Sequence, residues 1–260
     1  MAFSNAPQLE LRNYRDTDGS VIQTMSKWQK LKHRLQLATA YRCFLSVEND
    51  LDHMGMGDPS VVFDVGAHLG QTALHFRKSF PTASIHCFEP TDENFAKLKA
   101  NTKGKRLIRI NQFALGSAQT SVIMKTGQSD QTHQVIRNQE KTPANEEMQR
   151  VRMETIDSYM IDEGVANIDL LKIDVEGYEL EVLEGAKDAL ESRRIKAILA
   201  ECDFDPKDIQ HTYFNDLWDY LRSKNFSFFG LYDVIHYGNG MGIGFCNALF
   251  IEKTVSGNGS

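Results

Sequence analysis

The chain has 260 residues, 41% of them hydrophobic and 25% charged, which suffices for one α/β domain with a core of its own and argues against disorder. Its 29 basic and 35 acidic residues leave a net charge of -6, so there is no basic footprint for nucleic acid or an anionic membrane surface. No apolar run approaches the ~20 residues of a membrane-spanning helix. The opening MAFSNAPQLE lacks a basic segment leading into an apolar stretch, and a cytoplasmic setting is expected.

Residues 1–58 are expected to form an N-terminal helical segment. After a polar stretch to Ser20, apolar residues recur at helical spacing from Ile22 to Met54, among them Trp28, Leu31, Leu35, Ala38 and Leu45. Gly55, Gly57 and Pro59 then punctuate the chain. From residue 59 to 253 strand and helix patterns alternate. Strands are predicted at Val61–Val65, Ser84–Phe88, Leu107–Phe113, Asp169–Ile173 and Ile195–Ala200, with helices at Gln71–Ser79, at Asp92–Thr102 and after Tyr178. Such alternation implies a parallel sheet with helices on both faces.

Between Thr120 and Asp157 the alternation pauses in a polar stretch, TGQSDQTHQVIRNQEKTPANEEMQ. It reads as a surface loop, or as an active-site lid over 127–148 that brings His133 or Arg137 to substrate, since TSVIMKT and RVRMETID can pair beneath it. Residues 205–225, DPKDIQHTYFNDLWDYLRSKN, read as helical, with Tyr213, Phe214, Leu217, Trp218 and Leu221 on a core face. Phe226–Leu231 and Phe245–Ile251 read as closing strands around a glycine-rich loop, and 254–260 as a disordered tail. Cys43, Cys87, Cys202 and Cys246 are scattered without a C-x-x-C pair, which points to free thiols.

Chemistry concentrates in two islands. In VVFDVGAHLGQTALHF an apolar run ends at Asp64, a turn follows through Gly66, Ala67, His68 and Gly70, and an amphipathic helix begins. The dinucleotide pattern G-x-G-x-x-G fails at its second glycine. The free N–H groups opening the helix suit a carboxylate as well as a phosphate. Glu89, closing the run SIHCFEP, stands where a parallel-sheet pocket hydrogen-bonds ribose hydroxyls. Ribose and a carboxylate together suggest S-adenosylmethionine. The second island, IDLLKIDVEGYELEVLEGA, reads as a buried strand ending at Asp174, a turn through Glu176 and Gly177, and a helix.

In order and spacing, DVGAHLG, CFEP, NQFALG, KIDVEGYELEVLEGA and ILAE resemble the FkbM family of S-adenosylmethionine-dependent methyltransferases, roughly from Val61 to Lys253. The resemblance implies a class I methyltransferase-like Rossmann fold: a mostly parallel seven-stranded sheet with helices on both faces and an antiparallel last strand. It implies S-adenosyl-L-methionine as cofactor, with contacts from Asp64, Gly66, Ala67, His68, Gly70, Glu89, Phe113, Ala114 and Asp174. Two positions depart from the family pattern: Asn is usual where His68 stands, and the residue after Gly177 is often smaller than Tyr178.

Methyl transfer to a hydroxyl needs positioning and removal of a proton. Glu176 is the expected base, with His68 as an alternative and Asp174 on the pocket floor. Glu201 and Asp174 offer only two oxygen ligands, so a metal-free site is expected. The expected acceptor is a hydroxyl on a small sugar, glycan or specialised metabolite, with neither nucleic acid nor membrane as partner, and a homodimer contact has its natural place in the N-terminal segment. Two alternatives stand beside this reading: a nicotinamide oxidoreductase, and a non-catalytic cofactor-binding or scaffold protein.

Overall fold

The computed structural model describes residues 46–126, 133–135, 147–208, 210–236 and 242–256. The helices expected before residue 46, most of the expected lid and the end of the expected tail lie outside the described residues. The first described element is α1 (Val47–His53), whose N-cap Ser46 accepts a hydrogen bond from the Asn49 amide. There follow β1 (Val61–Val65), α2 (Gln71–Ser79), β2 (Ser84–Phe88), α3 (Asp92–Asn101), β3 (Ile108–Asn111), β4 (Ala114–Leu115), β5 (Thr120–Thr126), β6 (His133–Val135) and β7 (Glu147–Glu154). The second half comprises α4 (Ile156–Asp162), β8 (Ile168–Ile173), α5 (Glu179–Glu184), α6 (Lys187–Glu191), β9 (Ile195–Asp203), α7 (Phe214–Ser223), β10 (Phe226–Tyr232), β11 (Phe245–Glu252) and α8 (Lys253–Ser256).

Seven strands form the main sheet in the order β10-β11-β9-β8-β1-β2-β3. Strand β11 runs antiparallel to both neighbours, and the pairings from β9 through to β3 are parallel. The chain builds outward from β1 to β3 and later returns to lay β8 on the other side of β1. That reversal opens a crevice at the carboxyl ends of β1 and β8, where open α/β sheets place ligands. The sheet is the Rossmann-like arrangement that the resemblance implies.

The central strands are apolar on both faces because helices cover both. In β1, Phe63 and Val65 enter one core with Phe88, Tyr159, Leu171 and Phe250. Val62 enters the other with Phe76, Ile85, Leu98 and Leu170. A four-stranded second sheet, β4-β7-β5-β6, lies in the 114–154 region. TSVIMKT and RVRMETID do pair, with Val122 opposite Val151 in antiparallel register.

Three expected elements differ from the structure. Residues 205–208 and 210–213 are not helical. The Asp208 carboxylate accepts the amides of Gln210 at 2.6 Å and His211 at 3.0 Å, and Asp205 accepts that of Lys207 at 3.0 Å. These bonds take donors that a helix would use, and Pro206 lies among them. The helix beginning at Phe214 keeps the aromatic and leucine face, with Leu217 and Leu221 fully buried. The helix after Tyr178 breaks into α5 and α6 at Gly185, where an added Cβ would fall 2.0 Å from the Gly116 carbonyl oxygen. The third strand ends at Asn111, and Ala114 and Leu115 join the second sheet by pairing with Met153 and Glu154. At the other end of the chain, Lys253–Ser256 form a short helix at the start of the expected tail.

Below the sheet's amino edge, His86 stacks on Phe63 with ring centroids 5.1 Å apart. Its Nδ1 lies 2.8 Å from the Tyr159 hydroxyl and its Nε2 3.0 Å from the Ser84 hydroxyl. Burial, reinforced by the nearby Arg109 charge, pushes the His86 pKa down to about 4. The unfolded chain therefore takes up a proton that the native state refuses. Stability from this group is complete above pH ~6.5 and is lost as pH falls toward ~4, by on the order of 2 kcal/mol. In urea unfolding measured across that range, His86→Gln should show the shallower loss. Parallel pH profiles for the two proteins would contradict the assignment.

Candidate active site

The loop after β1 folds back over the end of β2, with the amides of Gly66 and Ala67 both donating to the Phe88 carbonyl at 3.1 and 3.0 Å. Gly66 has φ +77, and a Cβ there would fall 1.8 Å from the Asp174 carbonyl oxygen, so the crossing of the two loops requires glycine. Next but one, His68 has φ +48. Asn and His are both enriched in left-handed backbone, so replacing the family's usual Asn by His preserves the loop's conformation.

Glu89 is anchored from three sides. Its Oε1 accepts from the Thr91 amide at 2.9 Å and the Thr91 hydroxyl at 2.6 Å, and its Oε2 accepts from the His68 amide at 3.1 Å. Burial raises its pKa, and these donors oppose the rise. The carboxylate also lines a cavity of about 520 Å³ at the carboxyl edge of the sheet.

Of the residues singled out in the sequence, Gly66, His68, Glu89, Ala114, Asp174 and Glu176 line that cavity. Asp64, Ala67, Gly70 and Phe113 are not among its lining residues. Gly70 is the N-cap of α2. Phe113 belongs to an aromatic cluster with Phe88 and Tyr159 and has the Arg152 guanidinium 4.5 Å above its ring. Asp64 is wholly buried inside the sheet, opposite Lys172 in the register of β1 and β8.

Lys172 joins the two islands. Its ammonium lies 3.5 Å from Asp64 Oδ1 and 3.1 Å from Asp174 Oδ2, and its side chain is 6% exposed. Burial alone would lower the lysine's pKa, but the two carboxylates outweigh it and keep the group charged. Burial raises Asp64. For Asp174 burial is offset by Lys172 and by a hydrogen bond with Glu201, which together hold it below the usual carboxylate range. The fully buried Glu179 ties the neighbouring turn, with Oε1 accepting from the Val175 amide at 2.9 Å and Oε2 from the Thr212 hydroxyl.

The far end of the cavity is acidic. Glu176, held at φ +56, is pushed up to about 7, first by burial and then by Asp174, Glu179 and Asp208. Glu201 rises to about 9, first by burial and then by Asp174, Glu179 and Glu176. His211, in the segment whose spacing predicts a helix, lines the same end and stacks on Phe245 with centroids 4.9 Å apart and planes 10° apart. The signal that could have exposed it was the run of turn formers DFDPKD just ahead.

Strand order and a cavity at the point where the sheet reverses define a class I methyltransferase-like fold. Residues 64–228 match the model of the methyltransferase FkbM domain, and the chain belongs to that family. It is 32% identical over 169 residues to the 31-O-demethyl-FK506 methyltransferase FkbM of Streptomyces tacrolimicus, covering 54% of this chain and 64% of that one. It is 27% identical over 149 residues to the 2-O-methyltransferase NoeI of Sinorhizobium fredii, covering 53% and 61%. With the hexuronic acid methyltransferase AglP of Haloferax volcanii it shares 25% identity over 155 residues, 58% and 60% of the two chains. The chain thus spans about three-fifths of the length of these relatives. Among solved structures, the Methanococcus jannaschii fibrillarin pre-rRNA processing protein aligns with a TM-score of 0.46 at 14% identity, over 75% of this chain and 66% of that one.

Removing Lys172 leaves Asp64 buried without a counter-charge. Lys172→Met should destabilise the protein by about 3–5 kcal/mol, and adding Asp64→Asn should restore much of the loss. Equilibrium denaturation tests this, and a Lys172→Met protein unfolding at the wild-type midpoint would refute it.

Proposed function

We propose that the protein is an S-adenosyl-L-methionine-dependent methyltransferase acting on a hydroxyl of a sugar or specialised metabolite. The observation that supports this best is the opposition of two ends in one cavity: the anchored Glu89 on one side, and Glu176, Glu201 and His211 on the other. When bound, the cofactor would supply an electrophilic methyl carbon on a sulfonium: the acceptor oxygen would attack that carbon in line, sulfur would leave with the carbon–sulfur electron pair, and the hydroxyl proton would depart.

Glu89 accepts the ribose hydroxyls. It can do so without moving, since Thr91 and the His68 amide already hold it. Asp174 remains ionised beside Lys172 and provides a partner for the cofactor's amine. The acceptor's proton leaves into the group formed by Glu176, Glu201 and His211. Relatives named for 2-O-methyl transfer and for hexuronic acid methylation support oxygen on a sugar as the acceptor class. No helix among the described residues is long and apolar enough to cross a membrane. A cytoplasmic setting, in which the buried Cys87, Cys202 and Cys246 stay as thiols, belongs to the same proposal.

Calorimetric titration with S-adenosylhomocysteine should give micromolar binding, on the order of -8 kcal/mol. Glu89→Ala should weaken it by about 1.5–3 kcal/mol, the worth of hydrogen bonds to a charged group. Reduced nicotinamide dinucleotide binding without S-adenosylhomocysteine binding would overturn the proposal. With an acceptor found from a hydroxylated panel, Glu176→Gln should leave cofactor affinity near wild type and lower methyl transfer by about 10²-fold or more. An unchanged rate would remove Glu176 from the chemistry.

A further inference from the structure

Three metal-ligating side chains converge at the acceptor end of the cavity from separate parts of the chain. Glu176 comes from the turn after β8, Glu201 from the end of β9 and His211 from the loop ahead of α7. One donor atom from each lies within 4.8 Å of the other two, and all three residues line the cavity. We infer that Glu176, Glu201 and His211 form a binding site for one divalent first-row cation of the Mn²⁺ type, which grips the acceptor's hydroxyl oxygen. What the cation grips rests on the methyltransferase reading above; the ligand set does not.

The imidazole distinguishes this group from a patch of acids. His211 stacks on Phe245, and Asp208 Oδ1 lies 3.4 Å behind its Nδ1, an ion-pair distance. Asp208 is itself held by the amides of Gln210 and His211. A carboxylate behind one ring nitrogen, leaving the other for the ion, is the usual support of a metal-bound histidine. The other nitrogen, Nε2, sits 3.8 Å from Glu201 Oε2, a separation that an ion between them would span.

Charge points the same way. Asp174, Glu176, Glu179, Glu201 and Asp208 gather around this end, while the ammonium of Lys172 is engaged by Asp64 and Asp174. Two carboxylate oxygens and one imidazole nitrogen suit Mn²⁺ better than the all-oxygen shells of Mg²⁺ or Ca²⁺. Three protein ligands leave coordination positions open for a hydroxyl, whose proton a cation makes easier to lose. The metal-free site expected from Asp174 and Glu201 lacked a third ligand. His211 supplies it, and because each residue gives the ion a single donor atom, the second carboxylate oxygen of Glu176 is left to take the hydroxyl proton.

The test is titration of the purified protein with Mn²⁺, followed by loss of the free-ion electron paramagnetic resonance signal, with no cofactor or acceptor present. One ion should bind per chain. Glu201→Gln and His211→Gln should each weaken binding by more than about 10-fold, and Asp208→Asn by about 10-fold through misorientation of the imidazole. The same variants titrated with S-adenosylhomocysteine should keep near wild-type affinity, which shows that they are folded. Failure to bind Mn²⁺ at millimolar concentration, or binding that survives both Glu201→Gln and His211→Gln, overturns the site. Mn²⁺ binding without S-adenosylhomocysteine binding upholds the site and removes the methyltransferase reading instead.

Discussion

The rest of the structure depends on one buried ammonium. Lys172 lies between Asp64, at the end of β1, and Asp174, just beyond β8, so a single positive charge links the two loops from which the pocket is made. Burying an ion pair is costly, and removal of one partner costs more still, because the other is left without compensation. The loops are therefore locked to each other through the very strands where the sheet reverses direction. Gly66 has to pass against the Asp174 carbonyl for that lock to close. Glu179 extends the same order outward by tying the turn after β8 to Thr212, the neighbour of His211.

The lock also divides the acids into two populations. Asp64 and Glu179 are fully buried and serve the architecture, the first through Lys172 and the second through backbone amides and Thr212. Glu89, Asp174, Glu176 and Glu201 face the cavity. Among those, Asp174 has claimed the lysine, and Glu201 and Glu176 are left to share what negative charge the site can tolerate. One end of the cavity is thus anchored by Thr91 and the His68 amide, and the other gathers acids whose ionisation is opposed by burial and by neighbouring carboxylates.

Much of this was legible in the sequence because it depends on local pattern. Apolar runs buried on both faces marked β1, β2, β8 and β9, and the acids that close β2 and β8 marked the pocket. Other features depend on distant contacts and leave no local trace. Asp64 ends its strand as a pocket acid would, yet its side chain is turned into the sheet because Lys172 stands opposite on β8. The break at Gly185 arises from the approach of Gly116, nearly seventy positions earlier in the sequence. His211 was hidden because an aromatic stripe at helical spacing extends into a segment whose amides are taken by Asp205 and Asp208. In that segment turn chemistry prevails over periodicity.

A crystal structure of the protein with S-adenosylhomocysteine bound should place the ribose hydroxyls within hydrogen-bonding distance of Glu89 and direct the sulfur toward the end of the cavity that holds Glu176, Glu201 and His211. A ligand bound with its ribose away from Glu89, or with its sulfur turned from those three side chains, would contradict that placement.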